Sequence, residues 1–189
     1  MDLFFQEHTD YIVRLGPVFA LTFLVFMFSI FIGYSLGDQI SPISFEGALS
    51  NIPDPSESSS FEMFTAIVYN NVLASFIFIV SGFLIGIPPL MFMAFNGLFV
   101  GYVSFNAAQV QGLGFVFATI LPHGVIEIPA IILCSSMGVG FGYKIIHKLM
   151  RRDGLQEYAV ESMKVFIKRI IPLLVLAAGI ETALIYFLV

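Results

Sequence analysis

Two ionisable side chains four residues apart, His123 and Glu127, stand inside a long apolar stretch, and a second glutamate, Glu181, stands inside another. Residues at i and i+4 share one face of a helix, so His123 and Glu127 are predicted to point the same way. Three chemistries stay open for them. They can form a metal site or a site for a proton or polar solute. Alternatively, they only form hydrogen bonds with each other and with the local backbone.

Composition places these side chains in a membrane protein. Of the 189 residues, 58% are hydrophobic and 11% are charged, and the mean hydropathy is +0.95. Soluble domains carry about 25% charged residues. Because ionisable groups are costly inside a bilayer and usually mark a function, His123, Glu127 and Glu181 are candidate functional residues.

Sequence motifs for hydrolysis of peptides or nucleotides give little support to an enzyme. The sequence has no His-Glu-x-x-His pair and no Gly-x-x-x-x-Gly-Lys phosphate loop. We therefore expect a non-enzymatic protein with no cofactor and no nucleic-acid partner. Zinc is the one metal left open, with His123, Glu127 and Glu181 as its ligands, although a complete zinc site needs three or four ligands.

Five apolar runs are each long enough to cross about 30 Å of hydrocarbon as a helix. The sequence thus predicts an all-α integral membrane protein with one helical domain over residues 1–189. A Pro88-Pro89 turn is predicted between the second and third spans, because proline cannot donate to a continuing helix. The predicted spans are about 17–36, 64–87, 90–107, 125–146 and 170–189.

The fourth span is preceded by extra apolar sequence. Residues 112–146 form a run of 35 residues, more than one crossing needs. Pro122 and Gly124 interrupt this run, and Pro129 lies further along. We predict a helix break at this point, with a re-entrant or interfacial half-helix over 113–121. Non-helical backbone in a bilayer is tolerated only where protein or water satisfies it.

Charge segregation predicts the orientation. The loop 37–62 is acidic and has no lysine or arginine, whereas Lys144 and the loop 147–169 hold seven of the eight basic residues. Basic loops remain cytoplasmic, so the sequence predicts a multi-pass protein of the cell membrane with its N-terminus cytoplasmic and its C-terminus outside. The same basic charges favour contact with anionic membrane lipid.

The distance of each polar residue from the end of its span, at about 1.5 Å per residue, predicts that these residues lie in the outer half of the bilayer. Glu127 is 17 residues before Lys144, about 25 Å along a helix. Interhelical hydrogen bonds, worth about 0.6 kcal/mol each, are the alternative role for the asparagines. The predicted polar pocket consists of Asn70, Asn71, Asn96, His123, Glu127 and Glu181.

Two segments carry a family resemblance. Phe95–Gly101 (FNGLFVG) and Leu121–Ala130 (LPHGVIEIPA), together with Asn70 and Asn71, resemble the stage II sporulation protein M family. The resemblance implies a small multi-spanning membrane protein. In sporulating members it further implies a membrane scaffold for peptidoglycan-degrading partners during engulfment.

Two functions from different classes follow as expectations. The first is a scaffold or membrane subunit for partner membrane or envelope proteins, which can itself form a homo-oligomer. The alternative is a transporter or channel component that uses the polar pocket, because many transporters build their sites from broken helices and converging polar groups. A metal-dependent membrane enzyme is a third reading.

Overall fold

The computed structural model of the chain describes residues 10–41, 57–149 and 154–188, apart from the side chains at 120, 121, 123, 187 and 188. Within these ranges all regular structure is helical, so the predicted all-α class is confirmed. A 3₁₀ turn, Ser81–Phe83, and a π-helical turn, Phe166–Ile170, accompany the α-helices in these ranges. The helices are α1 (Gly16–Ser35), α2 (Ser60–Val80), α3 (Ile87–Gln111), α4 (Leu113–Leu149), α5 (Leu155–Val165) and α6 (Ile171–Leu188).

Four segments in the described part of the chain are long and apolar enough to cross a membrane. They agree with the class predicted from composition, a multi-pass membrane protein. Helix α6 lies where the fifth span was predicted but is not among the four. The four segments are Gly16–Ser35, Ser60–Phe83, Ile87–Gln111 and Gly124–Leu149.

Helices α1 and α3 run in the same direction and touch through their backbones. Gly97 of α3 faces Phe26, and a Cβ atom at position 97 would lie 2.6 Å from the Phe26 carbonyl oxygen. One turn further along both helices, Gly101 faces Ile30 in the same way. The pair forms the most extensive helix contact described, because the small residues of α3 let the two helix axes approach closely.

Helices α2 and α4 also run in the same direction, opposite to α1. Gly82 and Gly138 meet backbone to backbone, and the Cβ atom missing from either glycine would overlap the carbonyl group of the other helix. Helix α1 runs opposite to α4, because Leu15 lies beside Gly140 while Thr22, further along α1, bonds the Ser136 hydroxyl, earlier in α4, at 2.7 Å. These contacts place α4 at the centre of the bundle, where Ile132, Cys134 and Met137 are fully buried.

The bundle therefore has two distinct ends. At the acidic-loop end, where α1 and α3 finish and α2 begins, the Tyr186 hydroxyl of α6 donates to the Ser58 carbonyl oxygen at 2.5 Å. At the basic-loop end, where α4 finishes, the Tyr158 hydroxyl of α5 donates to the Met137 carbonyl oxygen at 2.9 Å.

The turn between α2 and α3 differs from its prediction. It lies at residues 84–86, where Ile85 and Gly86 have φ angles of 61° and 75°. Pro88 and Pro89 belong to the first turn of α3. Proline suits this place because its fixed φ fits a helix and its missing N–H would be unpaired there in any case.

Helix α4 differs from its prediction more strongly. The backbone is helical without interruption over 37 residues, with Pro122 and Pro129 inside the helix. The non-helical break predicted at 122–124, which separated a half-helix 113–121 from a span 125–146, is therefore wrong. A proline removes one helical hydrogen bond and crowds the preceding turn, but in membranes neighbouring groups and small adjustments can satisfy the freed carbonyl.

Candidate functional site

A cavity of about 340 Å³ lies among helices α2, α3, α4 and α6. Its wall is mostly apolar and includes four phenylalanine rings, Phe78, Phe92, Phe95 and Phe99. Five polar side chains interrupt that wall, and each is a residue of the pocket predicted from the sequence. They are Asn70, Asn71, Asn96, Glu127 and Glu181.

Helix α2 brings two of these residues to the cavity. Its start is fixed by a capping box, in which the Ser59 hydroxyl accepts from the Glu62 N–H and the Glu62 carboxylate accepts from the Ser59 N–H at 2.8 Å. Such a cap satisfies N–H groups that have no partner in the first helical turn. About three turns further on, Asn70 and the buried Asn71 line the cavity.

Helix α3 presents Asn96 to the cavity while its neighbour Gly97 packs against α1. The close α1–α3 contact fixes the rotation of α3. Asn96 and Val100, one turn apart, therefore lie on the cavity side. The sequence segment that carries the family resemblance thus has two physical roles, close helix packing through Gly97 and a polar group through Asn96.

Helix α4 contributes Glu127, with the buried Ile131 one turn away on the same face. A second, smaller cavity of about 80 Å³ also has Glu127 and Asn96 in its wall, together with Gly124 and Phe26. The side chains of Glu127 and Asn96 therefore stand between a space that reaches α1 and a larger space that reaches α2 and α6.

Helix α6 closes the arrangement with Glu181. Its helix packs antiparallel to α2, with Gly179 beside the Phe64 ring and Tyr186 bonded to Ser58. Glu181 of α6 and Glu127 of α4 lie in one cavity wall, although 54 residues separate them in the chain. The packing of α6 onto α2 and α4 brings these two positions to the same cavity.

The predicted pairing of His123 with Glu127 is not open to description, because the His123 side chain is outside the described part of the structure. Its backbone lies in α4, and the neighbouring Pro122 is exposed. Pro129 is likewise exposed, and Gly124 is buried beside the smaller cavity. His8 also lies outside the described residues, while His147 packs against the Tyr143 ring at 4.1 Å near the basic-loop end.

The electrostatic character of the larger cavity follows from its lining. Two carboxyl groups and three carboxamides face it, and its described wall contains no lysine, arginine or histidine. Carboxylate and amide oxygens are hard ligands that suit small cations, and aromatic rings attract cations through their faces. Across the described residues, no three side chains of histidine, cysteine, aspartate or glutamate gather closely enough to hold a metal ion.

A serine motif in the sequence has no matching geometry. Gly33–Gly37 reads Gly-x-Ser-x-Gly, the letters of a hydrolase nucleophile elbow. An elbow requires a turn from a strand into a helix, whereas Ser35 is the last residue of α1. Gly33 and Gly37 instead pack against Leu98 and Phe105 of α3, so this segment is a packing surface.

Sequence reasoning missed the polar contacts at the basic-loop end. Glu161 is buried in α5, although its helix reads as an amphipathic surface segment, and the Tyr11 hydroxyl bonds the Ser162 hydroxyl at 2.6 Å. The one available signal was the phase of the apolar residues in α5, which places Glu161 and Ser162 on the same side as Val165.

An all-helical bundle with four described helices long and apolar enough to cross a membrane defines a polytopic membrane protein. A family model described as stage II sporulation protein M matches residues 22–184, and the chain belongs to that family. The resemblance inferred from Asn96 and the Pro122–Glu127 segment is thereby confirmed.

Two relatives come from Methanocaldococcus jannaschii. The uncharacterized protein MJ0706 is 29% identical over 190 residues, covering 93% of this chain and 84% of the relative. The uncharacterized protein MJ0793 is 27% identical over 165 residues, covering 85% of this chain and 89% of the relative. No solved structure matches the chain.

Proposed function

We propose that the protein is a membrane transport component whose internal cavity binds a small cation. The observation that carries this proposal is the convergence of Glu127, Glu181 and three asparagines on one cavity wall. Ionisable residues that face the interior of a membrane bundle mark ion or substrate pathways. The two carboxyl groups in the described wall favour a cation over an anion.

Only two carboxyl groups line the described wall, which agrees with transport of a cation rather than with a permanently bound metal ion. A conducted or carried ion must bind well enough to enter and weakly enough to leave. Two carboxylates with carboxamide neighbours meet that requirement, whereas a structural zinc site needs four closely held ligands. The cation of this proposal is therefore the cargo.

The proposal includes five spans. Helix α6 has 18 residues, Ile171–Leu188, about 27 Å of helix, and it packs lengthwise on α2 and α4. With α6 as the fifth span, the basic-loop end faces the cytoplasm by the rule that basic loops stay inside. The N-terminus is then cytoplasmic, the C-terminus is outside, and the cavity opens nearer the outer surface.

The proposal also places the part of α4 that precedes Gly124 relative to the membrane. The whole helix is about 55 Å long, well beyond the hydrocarbon thickness of about 30 Å. Most described side chains of residues 113–118 are exposed. We infer that residues 113–121 extend α4 into the outer interface, and that the full span begins near Gly124.

Cation flux into liposomes tests the proposed function. Purified protein is reconstituted, and uptake of protons, sodium, potassium and methylammonium is followed separately. We expect flux of at least one of these cations, lost in Glu127→Gln and Glu181→Gln and retained in Glu57→Gln, the same change at an exposed position outside the helices. No flux of any of the four cations would contradict a transport role.

Scaffolding of partner proteins is the second candidate. What favours it is the backbone-to-backbone packing at Gly82 and Gly138 and at Gly97, which makes a bundle that resists deformation. In this role the protein binds membrane or envelope proteins or further copies of itself. Affinity purification from the native membrane tests it. A reproducible partner that is lost with His123→Ala supports scaffolding, and recovery of this protein alone contradicts it.

A further inference from the structure

A separate cavity of about 280 Å³ lies at the basic-loop end of the bundle. It is bounded by the chain just before and at the start of α1, by the last turns of α4 and by α5. Charged groups of both signs line it beside three tyrosines: the charged residues are Arg14, Lys144, Glu157 and Glu161, and the tyrosines are Tyr11, Tyr143 and Tyr158. It shares no residue with the cavity that contains Glu127 and Glu181.

The wall of this basic-end cavity is held by a chain of hydrogen bonds. The Ser162 hydroxyl donates to the Tyr158 carbonyl oxygen at 2.9 Å, and the Ser162 and Tyr11 hydroxyls share a hydrogen bond of 2.6 Å. The Tyr158 hydroxyl in turn donates to the Met137 carbonyl oxygen. The Tyr11 and Tyr158 rings lie 5.4 Å apart, which makes this wall a preformed surface.

One carboxylate oxygen of Glu161 in that wall lacks a hydrogen-bond donor among the described residues. The residue is 8% exposed, and its Oε1 atom accepts from the Lys164 ammonium at 2.6 Å. Its buried Oε2 atom has no hydrogen-bond partner among the described residues. Buried polar atoms are nearly always hydrogen-bonded, and each exception requires an explanation. A ligand that brings a hydrogen-bond donor would supply one, and the exposed Glu157 adds a second carboxylate at the rim.

Two cations accompany these carboxylates. The Arg14 Nε atom donates to the Asp10 carbonyl oxygen at 3.2 Å, which orders its side chain. The Lys144 ammonium lies over Gly154, where a Cβ atom would be 3.6 Å from Nζ. Burial raises the pKa of Tyr11, the charge of Glu161 raises it further and the charge of Arg14 lowers it. Both charges therefore act on one hydroxyl group.

We propose that this cavity binds the headgroup of a phospholipid that carries both a phosphate and a primary ammonium. The ammonium donates to the free oxygen of Glu161 and to Glu157, and the phosphate accepts from Arg14 and Lys144. Leu15 and Val18 extend the cavity wall along α1, whose neighbouring Leu21 and Leu24 are exposed apolar side chains. The acyl chains follow that surface.

The mixture of charges distinguishes this ligand from simpler anions. An anionic lipid without an amine would satisfy Arg14 and Lys144 but leave the Glu161 Oε2 atom without a donor. A choline headgroup has no N–H to donate. A water-soluble phosphoamine shares the headgroup chemistry and lacks only the acyl chains, so it serves as the second arm of the test.

Native mass spectrometry of the purified full chain in detergent measures the binding. Phosphatidylethanolamine is compared with phosphatidylglycerol, phosphatidylcholine and soluble phosphoethanolamine. We expect phosphatidylethanolamine to bind best, and its affinity to fall at least tenfold in Glu161→Gln, because that change removes the charged acceptor of the lipid ammonium. Lys144→Gln changes a half-buried residue and tests the phosphate side if Glu161→Gln fails to fold.

Matched controls separate the site from general surface charge. Lys168→Gln removes a basic charge from the same region outside the cavity, and Glu57→Gln removes an acidic one at the other end. Both should leave the lipid preference unchanged. Equal binding of soluble phosphoethanolamine would assign the site to a soluble ligand of the same chemistry. Equal affinity for all three lipids, or an unchanged preference in both Glu161→Gln and Lys144→Gln, would overturn the proposal.

Discussion

Asn96 of α3 and Glu127 of α4 line both of two cavities inside the bundle. A carboxamide and a carboxyl group therefore stand between the space beside α1 and the larger space beside α2 and α6. The packing of α3 against α4 therefore affects the surroundings of both the Asn96 carboxamide and the Glu127 carboxyl group.

Helix packing at Gly138 should be essential for stability. In Gly138→Ala, the new methyl would overlap the Phe78 carbonyl oxygen and contact the Pro89 ring. Overpacking of this kind costs about 1–3 kcal/mol, so the apparent unfolding temperature in detergent should fall. Gly114→Ala in the same helix has no atom within 4 Å of the new methyl and should be neutral or slightly stabilising. Equal effects of the two changes would contradict the described α2–α4 contact.

Loss of the Tyr11 hydroxyl should weaken the basic-loop end. Tyr11→Phe removes the buried hydrogen bond between the Tyr11 and Ser162 hydroxyls, which should cost about 1 kcal/mol of unfolding free energy. Tyr69→Phe is the control, since Tyr69 is 69% exposed. Thermal unfolding of both variants measures the difference. A Tyr11→Phe protein as stable as the Tyr69→Phe protein would show that the chain before α1 does not pack on α5.

The capping box of α2 predicts a rescue. Ser59→Ala removes the side-chain acceptor for the Glu62 N–H and should cost about 1 kcal/mol. Ser59→Asp supplies another acceptor at the same place and should restore most of the stability. Because α2 carries Asn70 and Asn71, cation flux measured on both variants also reports whether the start of α2 positions the cavity wall. An equally unstable Ser59→Asp variant would argue against the cap.

Labelling of single cysteines tests five spans and the orientation. The natural Cys134 is fully buried, so we expect it to be unreactive in intact cells, and Cys134→Ala provides the background. A membrane-impermeant maleimide should label Glu57→Cys from outside, whereas Lys148→Cys should react only after permeabilisation. A tag after Val189 should be accessible from outside. If that tag were accessible only from inside, α6 would not cross the membrane.

Sequence patterns predicted the features that depend on a single helix. Apolar length located the helices, and depth along each helix grouped Asn70, Asn71, Asn96, Glu127 and Glu181, which all line the larger cavity. Depth could not give the rotation of α3. That rotation depends on Gly97 meeting the Phe26 backbone, a contact between segments about 70 residues apart.

The errors came from features that tertiary packing overrides. Pro122 and Gly124 predicted a broken helix from local preferences, but α4 continues through both, and its later turns are held by close contact with α1, α2 and α3. Glu161 is buried in α5, and the phase of the apolar residues in that helix is the only local sign of it. The continuity of α4 through Pro122 cannot be inferred from the residues nearby in sequence.

Equilibrium cation binding to the purified protein tests the central claim most directly. Isothermal titration calorimetry in detergent, with sodium, potassium and methylammonium as ligands, avoids any need for transport to be complete. We predict saturable binding of at least one cation, weakened at least tenfold in both Glu127→Gln and Glu181→Gln, as expected for loss of a contact to a charged group, and unchanged in Glu57→Gln. Wild-type binding in both cavity variants, or no binding to the natural protein, would contradict the assignment of this cavity as a cation site.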